Sequence, residues 1–505
     1  MVGTRLVLVF FLPAFLIFLL IGMPVFFALL FAPGLLLILN GQEREIALLY
    51  RNVYNGIDAF PLMALPFFIL SGELMNRGGI TIRLVEFSQA LMGHLRGGLA
   101  QVNILSSMLF AGLSGSAVAD TSALGSTLIP AMEKNGYSRK FAAAITAASS
   151  VIGPIIPPSG IMIIYAYVMG ESVAALFLAG IIPGVLVGIG LMLMVRALAD
   201  RYDLPKAERI VNKNQSLSSI EYWLSYVILR INLAMLLSAL LSFFSSILAT
   251  LINQPILLNT WTIALITLPL VHFFLLNLRK KVSKDFRYVC KRAVVPLQTP
   301  IIILGGILLG VFTPTEAASI AVAYAFIISF FVLKTIKLKD LPAILTKAAL
   351  GSSAVLLLIG GAMAFKVVVS LSHAPEQLAT FVLSLSENPL ILLFLINMLL
   401  FIVGMFLDAG PAIIILGPIL APVFIDMGVH PIHFAIIMSV NLTVGLATPP
   451  MGLVLFVASS VSGERVETIA KTILPFLAVE IIVIFLITYI PAISMTLPKL
   501  TGFVQ

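Results

Sequence analysis

The sequence predicts an all-α, polytopic membrane protein made of two inverted-topology repeats, each with a re-entrant hairpin and a broken transmembrane helix. Three observations predict this fold class: an apolar composition, loops whose basic charge alternates along the chain, and an internal repeat. Of the 505 residues, 60% are hydrophobic and only 10% are charged, and the mean hydropathy is +1.13. A soluble chain of this length divides into domains with charged surfaces, so the bilayer is the remaining solvent. At roughly 20 residues a span, there is room for about a dozen spans.

The basic residues mark the expected cytoplasmic side. They lie in short loops between apolar runs, so the net charge of +8 does not indicate nucleic-acid binding. The apolar run from Leu6 to Leu39 lacks a cleavage site and is expected to be a retained membrane segment. Loops 170–172, 253–255, 313–315 and 372–376 are almost free of Lys and Arg and are expected outside. The basic clusters, expected inside, begin at Arg77, Lys134, Arg196, Arg279, Lys334 and Arg465.

One interval breaks this alternation and predicts a re-entrant hairpin. Arg96 and Lys134 both belong to basic loops, yet the mostly apolar stretch Val102–Met132 lies between them. A segment that enters the membrane and returns to the same face satisfies both the hydropathy and the charges. Because lipid does not tolerate irregular backbone, such a hairpin must be buried in protein or line a cavity.

The internal repeat aligns the two halves without a gap. A shift of 292 positions places Gly112–Ala166 on Gly404–Ala458. Glycine and proline mark positions where the backbone departs from a helix, so matching helix-breakers are informative. Five glycines and three prolines coincide, namely Gly112, Gly125, Pro130, Gly136, Gly153, Pro157, Pro158 and Gly160 on Gly404, Gly417, Pro422, Gly428, Gly445, Pro449, Pro450 and Gly452.

The repeat sets the expected domain organisation. About five spans in each copy would turn the second copy upside down, an arrangement that recurs among secondary transporters. Between the copies, residues 200–292 are expected to be an insertion with two extra transmembrane helices. Segments 80–95 and 376–386 are amphipathic and are interpreted as interfacial arm helices. The first repeat is expected at 1–199 (hairpin 102–134, broken helix 141–169), and the second at 293–495 (hairpin 390–428, broken helix 432–461).

The hairpin tips and the helix breaks concentrate polar groups at membrane depth. Asp120 and Asp408 each need a partner or a cavity there. They either coordinate a cation or brace the tip, or else cap a hairpin helix by accepting backbone N–H groups. Two pseudo-symmetric sodium sites are predicted from hydroxyl, carboxylate and carbonyl oxygens. The first comprises Ser114, Ser116, Asp120, Thr121, Ser149, Ser150, Gly153 and Pro154, and the second comprises Asp408, Gly410, Asn441, Thr443, Gly445 and Thr448.

An anionic substrate is expected between the two tips. Half-helix N-termini present the positive ends of their dipoles there. The predicted substrate-binding residues are Ser116, Ser122, Pro158, Ser159, Thr448 and Pro450. No phosphate-cradling Gly-x-x-x-x-Gly-Lys-Ser/Thr motif is present, and no convergent catalytic groups lie outside the tips, so an enzyme is not expected.

Three motifs resemble signatures of the large membrane subunit of tripartite ATP-independent periplasmic (TRAP) transporters. They are the stretch Gly112–Ser126, the segment Ile155-Ile-Pro-Pro-Ser159 and the segment Gly310–Ala318. The resemblance implies an elevator-type fold of the ion-transporter superfamily in the cell inner membrane, with sodium-driven uptake of carboxylates such as sialic acid or C4-dicarboxylates. It also implies two partners, a small four-helix membrane subunit and a periplasmic substrate-binding protein. The 200–292 insertion departs from the usual pattern of that family.

A second hypothesis stays open at this point. A stand-alone ion-coupled organic anion carrier of similar fold would have the same repeats and the same tips, but would work without a binding protein. A secreted binding protein encoded beside this chain would distinguish the two.

Overall fold

The computed structural model describes residues 11–205, 217–252, 260–371, 380, 384, 386 and 388–504, and these form helices and turns without a strand. Within this part, eight helices are long and apolar enough to cross a membrane, or nine if the pair Glu43–Ile57 and Phe60–Arg77, bent by 54°, is one span. The expected dozen is therefore too high for the described residues. Several apolar stretches form helices of 10–17 residues, which are too short to cross on their own.

The first part of the chain supplies five helices. A 3-10 turn at Phe60–Met63 separates the two halves of the bent pair. The amphipathic segment expected at 80–95 forms the fifth helix. The helices are α1 (Phe11–Leu20), α2 (Val25–Leu39), α3 (Ile46–Ile57), α4 (Ala64–Arg77) and α5 (Ile80–Met92).

The next five helices contain the first hairpin and the first broken helix. Gly115, with a φ of +61°, ends one hairpin helix in the left-handed conformation that glycine allows. Ser116 caps the next helix, and its Oγ accepts the Ala119 N–H at 3.4 Å. The helices are α6 (Gly98–Ser114), α7 (Ala117–Lys134), α8 (Arg139–Ser150), α9 (Gly160–Met169) and α10 (Val173–Leu198).

Residues 217–371 supply five further helices. Two of them occupy the segment expected to be an insertion. Ion pairs of Arg83 with Glu221 and of Arg292 with Glu86 tie the helix α5 to this region. The helices are α11 (Ser219–Ile252), α12 (Thr260–Lys281), α13 (Lys284–Leu308), α14 (Pro314–Ile327) and α15 (Leu341–Leu371).

The last six helices repeat the pattern of α6–α10. With the 292-residue shift, the bounds of α16–α20 match those of α6–α10 to within three residues. The predicted arm at 376–386 lies almost wholly outside the described residues. The helices are α16 (Pro389–Phe406), α17 (Ala409–Asp426), α18 (Pro431–Gly445), α19 (Leu453–Ser462), α20 (Val466–Tyr489) and α21 (Ala492–Leu500).

The two halves exchange their short helices. The half-helix α9 packs on α17, the second hairpin helix of the other half, and α19 packs on α7. A second group is formed by α15, which packs on α2, α3 and α4, and by α14, which packs on α4. Because α9 and α19 each contact the opposite hairpin, both hairpin tips and both helix breaks meet at the centre of the molecule.

Candidate functional site

A cavity of about 870 Å³ lies between the two hairpin tips. Ser116 of the first tip and Asp408 of the second face the same space. From the tips the cavity follows α7 past Ser122 and Ser126, and α4 and α15 form the opposite wall. The helices α7 and α17 begin at the tips, so the positive ends of two helix dipoles point at the centre of the protein.

Asp120 is the most constrained acidic group beside the first tip. The residue is fully buried in the first turn of α7. Its Oδ1 accepts a hydrogen bond from Ser114 Oγ, and its Oδ2 has no partner among the described residues. A Cβ added at Gly153 would collide with Oδ2, so the carboxylate touches the break between α8 and α9. A buried carboxylate with an unpartnered oxygen, next to irregular backbone, can supply oxygen ligands to a cation.

The other predicted ligands of the first site lie in different settings. Pro154 lines the cavity with Ser114 and Ser116. Thr121 is buried and donates to the Ala117 carbonyl at 2.8 Å within its own helix. The structure thus brings Ser114, Asp120 and Gly153 together, and Thr121 directs its hydroxyl hydrogen elsewhere.

Ser149 and Ser150 belong to a buried polar cluster between α6 and α8. Ser149 Oγ accepts from Ser107 Oγ at 2.9 Å and donates to Asn103 Oδ1 at 3.2 Å. Ser150 Oγ donates to the Thr146 carbonyl at 2.6 Å. Only remaining lone pairs of these hydroxyls are free for a cation. Sequence reasoning missed Asn103 and Ser107, although polar residues inside the apolar run of α6 were a visible signal.

Asp408 occupies a different position from Asp120. It is the N-cap of α17, and its Oδ1 accepts the Ala409 N–H at 2.8 Å. The residue is exposed to the cavity, which Gly410 also lines. The capping interpretation that the sequence left open is therefore seen in the geometry, and the remaining carboxylate oxygen is free to face the cavity.

The other predicted ligands of the second site do not line the cavity among the described residues. Asn441 Nδ2 donates to Asn397 Oδ1 at 2.6 Å, and Asn441 Oδ1 is buried without a partner in the described part of the chain. The hydroxyls of Thr443 and Thr448 donate to backbone carbonyls of α18 at 2.6 and 2.9 Å. Gly445 packs directly on the backbone of Gly404. This half therefore contains a buried asparagine pair where the first half has the Ser149 cluster.

The predicted substrate residues divide in the same way. Ser116, Ser122 and Pro158 line the cavity. Ser159, Thr448 and Pro450 are not part of its lining. Ser159 is fully buried, donates to the Pro154 carbonyl and caps α9 by accepting the Met162 N–H at 3.4 Å. The peptide bonds Pro157–Pro158 and Pro449–Pro450, one in each break, are cis.

Another acidic residue was missed altogether. Glu480 on α20 is fully buried, and neither carboxylate oxygen has a partner within the described part of the chain. It does not line the cavity. The signal that could have found it is a single acidic residue in the apolar run 472–490.

A family model places the chain among known proteins. The model described as "Tripartite ATP-independent periplasmic transporter, DctM component" matches residues 12–262 and 256–493.

Individual relatives match along nearly the whole chain. The sialic acid TRAP transporter large permease protein SiaM of Vibrio cholerae is 35% identical, with 95% of each chain covered. The C4-dicarboxylate TRAP transporter large permease protein DctM of Pseudomonas aeruginosa is 33% identical, with 93% of each covered. The isethionate TRAP transporter permease protein DctMQ of Oleidesulfovibrio alaskensis is 34% identical over 95% of this chain, but only 65% of that longer relative is covered.

A solved structure shares the fold. The crystal structure of the Alcanivorax borkumensis YdaH transporter, described as having an unusual topology, superposes with a TM-score of 0.50 at 17% identity. The match covers 91% of this chain and 89% of YdaH. At this identity the likeness concerns the fold alone.

Proposed function

This chain belongs to the DctM family of TRAP transporters, and from that membership we propose that it is the large transmembrane subunit of a sodium-coupled, binding-protein-dependent importer of small organic anions. Like its permease relatives, it is an inner-membrane transporter and not an enzyme. The proposal adds four elements to family membership: the coupling ion, the substrate class, the elevator motion and two protein partners.

The observation that carries sodium coupling is the environment of Asp120. Its Oδ2 is buried and unpartnered within the described residues, while Ser114 binds the other oxygen and Gly153 leaves room for close approach. An unpaired charge at this depth is costly, and a cation bound beside it removes that cost. When bound, sodium would supply the charge that completes the first tip, with Ser114 and Asp120 holding it.

The substrate class follows from the relatives and from the cavity. SiaM and DctM are named for sialic acid and for C4-dicarboxylates, which are both carboxylates. The first turns of α7 and α17 face the cavity, and the N–H groups there that the caps Ser116 and Asp408 do not bind suit a carboxylate. We therefore favour a carboxylate bound between Ser116 and Gly410, with Ser122 and Pro158 as further contacts.

The packing of the helices supports an elevator motion. The exchange of α9 and α19 between the halves makes the hairpins and the broken helices one packed unit. The helices α2, α3, α4, α14 and α15 form a second group, and the cavity lies between the two groups. We propose that the first unit moves against the second. Cysteine pairs between α7 and α15 should then crosslink in two distinct registers, whereas a single register under all conditions would contradict the motion.

Two protein partners belong to the proposal. The longer relative DctMQ is named a TRAP transporter permease protein, and about a third of its length lies outside the region that matches this chain. That extra length is consistent with a fused small membrane subunit, which we propose as a separate four-helix partner of this chain. The second partner is a periplasmic binding protein that delivers the carboxylate.

The test is transport by the reconstituted complex. Proteoliposomes that contain this chain and the small subunit are supplied with the binding protein, and uptake of sialic acid and of succinate is measured. We expect uptake that needs an inward sodium gradient and the binding protein. Equal uptake with potassium replacing sodium would contradict sodium coupling. Uptake without the binding protein would favour a stand-alone carrier.

A further inference from the structure

At one end of the cavity, on the side of the first tip, lies a charged cluster that the transport site does not use. Glu73 directly follows Gly72 on α4, and a Cβ added at Gly72 would lie 3.0 Å from the Leu113 carbonyl oxygen at the end of α6, so the cluster begins beside the first tip. Lys347 lies 11 residues from Leu358 on α15, which is roughly 16 Å. We name this end, lined by Glu73, Asn76, Thr81 and Lys347, the mouth. The neighbouring basic clusters place it on the expected cytoplasmic side.

Two cations hold the carboxylate of Glu73. Lys347 Nζ lies 2.8 Å from Glu73 Oε2, and Arg77 Nε lies 3.2 Å from Glu73 Oε1. The Glu73 side chain is only 11% exposed, whereas those of Lys347 and Arg77 are 63% and 44% exposed. The carboxylate is therefore masked, and the two cations keep unused N–H donors directed at solvent.

The charges of the cavity explain why this arrangement matters for an anion. Among the described residues that line the cavity, the carboxylates are Glu73 and Asp408, and Lys347 is the one Lys or Arg side chain. Without Lys347 and Arg77, an entering carboxylate would meet unpaired negative charge. Exposed lysine pairs contribute little to stability, so Lys347 can leave Glu73 for another carboxylate at small cost.

We propose that Lys347 forms a carboxylate-binding subsite at the mouth, which receives the substrate when it leaves the tips on the cytoplasmic side. Glu73 holds Lys347 in place and weakens its attraction for the substrate, and Arg77, outside the cavity lining, neutralises part of the Glu73 charge. This inference rests on the proposed function for the nature of the ligand. It predicts opposite effects for the two partners: Lys347→Met weakens anion binding at the mouth, and Glu73→Gln strengthens it.

The first experiment measures the electrostatics of the mouth without any substrate. Ser126 is exposed and lines the cavity on α7, so a Ser126→Cys variant, in a Cys290→Ser background, places a thiol inside. The rates of its modification by a sulfonate and by a trimethylammonium methanethiosulfonate are compared. The ratio of the anionic to the cationic rate should fall several-fold with Lys347→Met and rise several-fold with Glu73→Gln. Lys339→Met is the matched control, since Lys339 is exposed nearby but does not line the cavity.

The second experiment measures transport from each face. In inside-out vesicles, the half-saturating concentration of succinate or sialic acid at the cytoplasmic face should rise about 3- to 10-fold with Lys347→Met and fall with Glu73→Gln. Uptake by whole cells should keep its half-saturating concentration, which also shows that the variants fold. If the wild type transports and both variants match Lys339→Met in both experiments, the subsite is overturned. If the wild type transports no carboxylate, the proposed function fails, and the thiol rates still decide whether the mouth attracts anions.

Discussion

The two hairpins have the same backbone arrangement but differ in the position of their negative charge. The 292-residue shift places Asp408 on Ser116, and each of these residues caps the second helix of its own hairpin. Asp120 aligns with Ala412, so the second hairpin has no buried counterpart of the first carboxylate. The first hairpin buries its acid against the helix break, and the second presents its acid to the cavity. The two repeats thus have the same helix geometry but carry their carboxylates at different positions.

The largest expected effect comes from removing the buried acid. Asp120→Asn keeps the shape of the side chain but removes its charge, so a bound cation loses its main partner. Removing one member of a buried charge pair costs about 3–5 kcal/mol, and we expect sodium affinity to fall at least about 100-fold. Sodium dependence of uptake in proteoliposomes measures this. Unchanged sodium affinity would exclude Asp120 from the sodium site. The difference in buried charge between the two hairpins would then have no effect on sodium binding.

The second contrast lies at the two breaks, where Gly153 and Gly445 are equivalent. Gly153→Ala would push on Asp120 Oδ2 and should weaken sodium binding. Gly445→Ala would place its Cβ 2.6 Å from the Gly404 Cα, which should destabilise the protein by about 1–3 kcal/mol with little effect on sodium affinity. Thermal unfolding and sodium titration separate the two effects. Gly417→Ala is the control, because the nearest atom to its new Cβ is Met169 Sδ at an ordinary 3.6 Å.

The third prediction separates the cap from the charge at Asp408. Asp408→Ala removes both, and should destabilise α17 by about 1 kcal/mol and weaken the sodium dependence of uptake. Asp408→Asn keeps an oxygen that accepts the Ala409 N–H, so stability should return. If Asp408→Asn also restores wild-type sodium dependence, the residue is a helix cap alone.

The smallest expected effect is at the equivalent cap of the first hairpin. Ser116→Ala removes a hydrogen bond that is already long, at 3.4 Å, so we expect a loss of about 0.5 kcal/mol. Thermal unfolding should therefore shift less than for Asp408→Ala. A larger shift for Ser116→Ala would mean that the first tip, and not the second, depends on its cap.

Much of the fold followed from the positions of glycine and proline. The repeat placed both breaks, at residues 151–159 and 446–452, where a glycine and a Pro-Pro pair fall close together, whereas the isolated Pro130 and Pro422 lie inside α7 and α17. The sequence also placed Asp120 and Asp408 near the tips. Treating them as equivalents was an avoidable simplification, since the same 292-residue shift that revealed the repeat aligns Asp408 with Ser116.

Hydrogen-bond partners across helices were not predictable in the same way. Whether Ser149 faces Asp120 or Asn103 depends on the rotation of α8 against α6, which the packing of the whole core decides. The same holds for Asn441, whose partner Asn397 lies 44 residues away in the sequence. The pairing of Glu73 with Lys347 joins residues still farther apart.

The exchange of half-helices has a consequence for biosynthesis. The surface of α7 that receives α19 is synthesised more than 300 residues before α19 is. At roughly 5–20 residues per second, the ribosome needs about 15–60 s to deliver the missing piece. During that interval the first hairpin, which contains Asp120, lies in the bilayer without α19 packed against it. We expect a nascent chain that stops before residue 453 to be a preferred target for membrane quality-control proteases.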